Sequence, residues 1–125
     1  MTPAQFRTLL EGLADGWSRR DYETVAAAFA EDVHYADPMR YTIQGRARLL
    51  EFFRDDEGYL QSTVWRTVVF DESQQIGAAE YTYRGTHRFH GTVWIRLAGD
   101  LITHWREYQH VDYRPWQEFA GATAW

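Results

Sequence analysis

FHGTVWIRLAGDLITHWREYQHVDY, residues 89–113, reads as two long alternating strands joined by a tight turn at Gly99-Asp100. Working upstream, IGAAEYTYRGTHR at 76–88 and QSTVWRTVVF at 61–70 are equally strand-like, and DESQQ at 71–75 separates them as a turn. Four strands in sequence order make an antiparallel meander. Gly77, Gly85 and Gly91 fall inside it, where glycine marks bends or bulges. Ahead of the meander the period changes to that of helices. Phe6, Leu9, Leu10, Leu13 and Trp17 form one apolar stripe, and Asp21 opens a second helix, DYETVAAAF, with Tyr22, Val25, Ala26 and Phe29 on one side. Val33, Tyr35 and Asp37 alternate with His34 and Ala36 in a short strand that Pro38 ends. GRARLLEFFRDD is a third helix, and RPWQEFAGATAW a last short one. Helices followed by a meander give an α+β fold, a curved antiparallel sheet wrapped around N-terminal helices, in one domain spanning residues 1–125.

Composition sets the class of partner. Net charge is -5 and the only basic pair is Arg19-Arg20, which disfavours nucleic acid. No cysteine is present, so disulfides and thiol chemistry are excluded. No apolar run approaches the roughly 18 residues of a membrane span, and MTPAQFRTLL lacks the pattern of a secretory signal. The expectation is a cytoplasmic protein with no membrane partner. Aromatic residues reach 17% of the chain, which suits a pocket wall or a dense core alike.

Strand alternation sorts the candidate site residues. Phe89, Gly91, Val93, Ile95 and Leu97 share an apolar face opposite His90, Thr92, Trp94 and Arg96. Trp105, Glu107 and Gln109 share a face opposite His104, Arg106, Tyr108 and His110, and this strand can be read either way: Glu107 inward, or Ile102 and Tyr108 inward with Glu107 solvated. Asp37, directly before Pro38, is either a turn cap or a working carboxylate. The histidines make no compact metal set: His87 and His90 point to opposite faces, and His104 and His110 stand about 20 Å apart along a strand. Neither a Ser-centred nucleophile motif nor a Gly-rich phosphate loop occurs, and no cofactor is implied.

FAEDVHYADP at 29–38, GRARLLEFFRD at 45–55 and GDLITHWREY at 99–108 resemble the nuclear transport factor 2-like superfamily, in its SnoaL-like, ketosteroid isomerase-like and limonene epoxide hydrolase-like branches. The resemblance spans nearly the whole chain. It implies a cone-shaped α+β barrel with an apolar pocket, commonly a homodimer through the outer sheet face. Beside ketosteroid isomerases, Asp37 falls on the general base, while the oxyanion donors fall on Leu13 and near Val93. Beside limonene epoxide hydrolases, Tyr35 matches a water-holding Tyr, Asp37 falls on an Asn and Glu107 on an Asp, whereas the catalytic Arg and acid fall on Tyr81 and Tyr83. Beside the cyclases, the acid of the last strand falls near Glu107 or His110.

The combined expectation is a small acid–base enzyme acting on a small apolar molecule, of isomerase, cyclase, dehydratase or epoxide-hydrolase type. Asp37 and Glu107 would work with Tyr35 and Tyr83, in a pocket shaped by Trp17, Phe53, Trp65, Tyr81, Phe89 and Trp105. The alternative is a ligand-binding or interaction module without chemistry. His90, Trp94, Arg96, Arg106 and Tyr108 make the outer face aromatic enough to expect a two-fold dimer.

Overall fold

The computed structural model describes residues 1–125. Thr2 starts helix α1 (Pro3–Ser18) with a capping box: Thr2 Oγ1 accepts from Gln5 N at 3.2 Å, and Gln5 Oε1 accepts from Thr2 N at 2.8 Å. The expected stripe is the buried side, with Phe6, Leu10, Leu13 and Trp17 facing inward and Leu9 packed at its edge. Helix α2 is shorter than the spacing suggested, Tyr22–Ala27, and Asp21 at its N-cap makes no side-chain capping bond. Phe29 leaves the helix because it begins strand β1 (Phe29–Asp37), where it pairs with Ile102 and is fully buried. Sheet burial outweighs the helix propensity of the alanines before it.

Asp37–Arg40 forms a hairpin turn that the sequence reading left unassigned. Arg40 N donates to the Asp37 carbonyl at 2.9 Å and Met39 N to Asp37 Oδ1 at 3.0 Å, with Pro38 in the second position. The hairpin returns as strand β2 (Tyr41–Gln44), paired antiparallel to β1, and helix α3 (Arg46–Arg54) follows. The meander is β3 (Ser62–Asp71), β4 (Ile76–Arg84), β5 (Arg88–Ala98) and β6 (Leu101–Val111). Gly85 lies in the connection between β4 and β5, not within a strand. Helix α4 (Trp116–Ala120) and one turn of 3-10 helix (Gly121–Thr123) end the chain.

All six strands form one curved, unclosed sheet in the order β2-β1-β6-β5-β4-β3. Every pair is antiparallel except β1 with β6, which is parallel. Helix α1 packs on β3 and α3 on β1 and β2, so the helices close the open side of the curl. A bulge in β6 sets its phase. The register passes from Arg96↔His104 to Leu97↔Ile102, leaving Thr103 as the extra residue, with its Oγ1 donating to the Arg96 carbonyl at 3.1 Å. Ile102 and Trp105, three positions apart, therefore both point inward, and Glu107 follows Trp105.

The outer face differs from expectation at His90. Its ring is buried beneath α4, against Trp116 and Phe119, with Nδ1 3.0 Å from Thr82 Oγ1 and Nε2 donating to the Arg114 carbonyl at 2.8 Å. The chain's own C-terminal helix covers this part of the sheet. Trp94 and Tyr108 remain 48% and 43% exposed beside exposed Arg96 and Arg106.

Two glycines test the packing in opposite senses. A Cβ on Gly77 would lie 2.4 Å from Phe6 Cζ, and that ring is fully buried and stacked 4.5 Å from Phe70. Gly12 lies in the exposed middle of α1 with nothing within 4 Å of an added Cβ. Gly77→Ala is expected to destabilise by about 1–3 kcal/mol, and Gly12→Ala to stabilise by roughly 0.5–1 kcal/mol. Urea denaturation midpoints of the two variants, moving in opposite directions, check this.

Candidate functional site

The inner face of β6 presents Glu107, and the elements around it converge on its carboxyl. The side chain is 5% exposed. Tyr41 of β2 donates its hydroxyl to Oε1, Tyr81 of β4 donates to Oε2 at 3.0 Å, and Trp105 Nε1 donates to the same oxygen at 3.2 Å. Tyr81 reaches it because β5 carries Gly91 at the crossing. A Cβ there would stand 2.9 Å from the Tyr81 ring and 2.8 Å from the Tyr108 carbonyl. Burial pushes the Glu107 carboxyl above its ordinary value. The bonds from Tyr41, Trp105 and Tyr81 work against that rise, and the charge of Asp37 adds to it.

Glu107 lies on the wall of a cavity of about 200 Å³. For scale, a cavity of about 150 Å³ holds benzene. Of the expected pocket residues, Trp17, Phe53, Trp65, Tyr81 and Trp105 line it, as do Tyr35 and Tyr83. The rings meet edge to face: Trp17 with Trp105 at 5.8 Å and 78°, Trp17 with Phe53 at 5.8 Å and 78°, Trp65 with Trp105 at 6.4 Å and 69°. Tyr35 stacks on Trp105, its register partner, at 5.5 Å. Phe89 does not line the cavity; it packs against Tyr83 and beneath the Arg40 guanidinium, because β5 has by then passed the rim.

Of the two roles that its sequence position left open, the geometry displays the turn cap. It caps the hairpin turn through Oδ1, and at 1% exposure it is more deeply buried than Glu107. It does not line the cavity. The parallel register of Tyr35 with Trp105 carries Asp37 alongside Glu107, while the turn draws its carboxyl toward its own backbone. Oδ2 has no hydrogen-bond partner, and Arg40 Nε stands 3.8 Å away. Leu13 and Val93 are buried apolar residues, so neither supplies a donor to the site.

The far end of the cavity is a second polar cluster that sequence reasoning missed. Tyr83 donates to Gln61 Oε1 at 3.0 Å, Gln61 Nε2 donates to the Tyr22 hydroxyl at 2.6 Å, and Tyr22 donates to Asp56. Arg20 Nε lies 3.1 Å from Asp56 Oδ2, and Gly58 N donates to Oδ1 at 2.8 Å. The Tyr22 hydrogen bond chiefly holds Asp56 below its usual range. Tyr41 was missed as well. The signal that could have found it is the Asp-Pro turn followed by the apolar-polar alternation of Tyr41-Thr42-Ile43.

A helix-capped, curled sheet around an aromatic cavity with a buried carboxyl on its wall is the architecture of the pocket-bearing α+β domains of the nuclear transport factor 2-like superfamily. The chain belongs to the SnoaL-like domain family, whose model matches residues 10–105. Among solved structures it is similar to a protein of Kribbella flavida DSM 17836 provisionally named a ketosteroid isomerase, at 24% identity over 90% of this chain and 83% of that one, with a TM-score of 0.74. It is also similar to an LEH-like epoxide hydrolase of M. tuberculosis, at 20% identity over 82% and 80% of the two chains, TM-score 0.72. A provisionally named polyketide cyclase of Xanthomonas campestris pv. campestris matches at 19% identity over 94% and 95%, TM-score 0.71. At these identities the likeness carries the fold. No curated protein matches the chain.

Burial raises the hydroxyl pKa of five cavity tyrosines, Tyr22 to about 12, with Tyr35, Tyr41, Tyr81 and Tyr83 also shifted upward. An unfolded tyrosine ionises near pH 10. In an ultraviolet titration the phenols of Tyr22, Tyr35, Tyr41 and Tyr81 are therefore expected to stay protonated in the folded protein at about pH 11, and to ionise together when denaturant is added at that pH. Replacing Tyr81 with Phe should shrink the denaturant-released signal by one phenol.

Proposed function

We propose that the protein is an acid–base enzyme that moves a proton on a small, largely apolar molecule held in the aromatic cavity, with Glu107 as the working carboxyl. The observation that carries this reading is a carboxyl buried on the wall of a substrate-sized cavity, its oxygens held by Tyr41, Tyr81 and Trp105. Three of its four lone-pair positions are engaged, two on Oε2 and one on Oε1. The remaining position on Oε1 is the one that takes a proton from a substrate carbon or from an attacking water. The fixed bonds from Tyr41, Tyr81 and Trp105 hold the carboxylate in one orientation, which limits reorganisation during transfer.

The cavity phenols are donors by design of their surroundings. Their raised pKa keeps them protonated at neutral pH and makes them poor proton sources, so Tyr35 and Tyr83 orient and polarise the substrate. Asp37 acts as a positioning residue: it anchors the hairpin that carries Tyr41, and its charge raises the proton affinity of Glu107. One carboxyl that both removes and returns a proton suits isomerisation, cyclisation or dehydration; epoxide opening by an activated water uses the same base. The family contains isomerases, cyclases and epoxide hydrolases, consistent with this span of chemistry.

A panel of enones, hydroxy-ketones and epoxides assayed with wild type and Glu107→Gln tests the assignment. The variant is expected to lose turnover by roughly 10²–10⁴-fold. The acid limb of the wild-type pH–rate profile should lie above the ordinary glutamate value of 4.5, with activity falling as pH drops through it. Asp37→Asn removes a like charge and should shift that limb to lower pH. Saturable binding without turnover of any compound would assign the cavity to ligand capture instead.

We also propose that the exposed Trp94, Arg96, Arg106 and Tyr108 form a two-fold dimer face on the outer sheet. Sedimentation equilibrium at micromolar concentration should give a dimer that Trp94→Glu dissociates; a wild-type monomer would overturn the assembly.

A further inference from the structure

The cavity has a sign as well as a shape. Its sixteen lining residues comprise ten aromatics, three carboxylates, two glutamines and a threonine, and no lysine, arginine or histidine. Glu107 contributes one carboxylate from β6, and Asp55 and Asp56 contribute the others from the residues that follow α3. Two cations reach the lining from outside it, Arg20 at Asp56 and Arg40 at the Gln109 carbonyl, 3.3 Å away. An acidic ligand would meet carboxylates in the lining and no counter-ion within it. The aromatic planes, set at 69° and 78° to one another around Trp105, form a box. Two of the three indole N–H groups are already spent, Trp65 on the Leu10 carbonyl at 2.8 Å and Trp105 on Glu107. Tyr35 covers one face of Trp105, so what these two rings have left to offer a ligand is the other face of Trp105 and the faces of Trp65, which carry the negative side of the ring quadrupole.

We infer that the ligand of this cavity is a small aliphatic amine in its cationic form, a tertiary or quaternary ammonium on an apolar skeleton, held over the indole faces beside the lining carboxylates. Aromatic boxes bind quaternary ammonium because the cation is weakly solvated and gains from several ring faces at once. The inference rests on the proposed function in taking the cavity as the working site, and it narrows the substrate class there.

Choline and 3,3-dimethyl-1-butanol have the same shape and hydroxyl and differ in a charged nitrogen against a neutral carbon. Calorimetric titration of the folded protein with each, at ionic strength matched by sodium chloride, separates cation recognition from apolar fit. Choline is expected to bind at least tenfold tighter. Asp55→Asn combined with Asp56→Asn, and Trp17→Leu separately, should each weaken choline several-fold, and the carboxylate variant should lower choline affinity by a larger factor than butanol affinity. Far-ultraviolet circular dichroism checks that each variant is folded. Equal or tighter binding of the butanol overturns the inference, as does the failure of choline to bind. Either result leaves the Glu107→Gln comparison on neutral substrates intact, so the loss of this ligand class is distinguishable from the loss of the acid–base reading.

Discussion

Burying the carboxyl of Glu107 on the inside of the sheet is the constraint around which the rest of this fold is arranged. An isolated buried charge is strongly unfavourable and is tolerated only with partners of good geometry. Here those partners come from three strands: Tyr41 from β2, Tyr81 from β4 and Trp105 from β6 itself. Each imposes its own requirement. Tyr41 is in place only if the Asp37–Arg40 turn folds β2 back along β1, and Tyr81 only if β5 carries no side chain at Gly91. Trp105 faces inward only because the Thr103 bulge shifts the phase of β6. The hairpin, the glycine and the bulge thus serve one carboxyl.

The same dependence explains why Asp37 tolerates an incomplete environment. One of its oxygens closes the turn and the other is buried without a hydrogen-bond partner, with Arg40 at 3.8 Å. An orphaned buried acceptor costs about 1–3 kcal/mol. The turn it stabilises delivers Tyr41 to Glu107, so this cost is linked to the organisation of the site and not to local stability.

Much of the architecture was legible because long segments carry long periods. The α1 stripe and the four strands of the meander follow from spacing and composition, while the wall residues Trp17, Phe53, Trp65, Tyr81 and Trp105 were expected once the resemblance implied an apolar pocket. Glu107 stayed ambiguous for a physical reason: alternation predicts relative faces along an unbroken strand, and the bulge breaks it between Ile102 and Trp105. Strand β2 is four residues long, too short for periodicity to outweigh its polar members. Phe89 and His90 were misplaced because no strand pattern reports where a cavity ends or where a C-terminal helix will fold back. His90 is on the outer face as alternation requires, yet it is buried by Trp116 and Phe119, which are more than twenty residues further along the chain.

The aromatic wealth of the chain takes on a definite role in this setting. Aromatics could equally have filled a core, but a closed core has no use for hydroxyls that must be satisfied. Five tyrosines line this cavity with their protons retained, so the wall is rich in hydrogen-bond donors and poor in groups that change charge near neutral pH. Asp56 is held ionised at the far end by Tyr22. At Glu107 burial raises the carboxyl pKa, and three donors oppose the rise. The aromatic residues therefore supply this cavity with fixed hydrogen-bond donors and π-faces around a buried carboxyl, a use that plain core filling would not require.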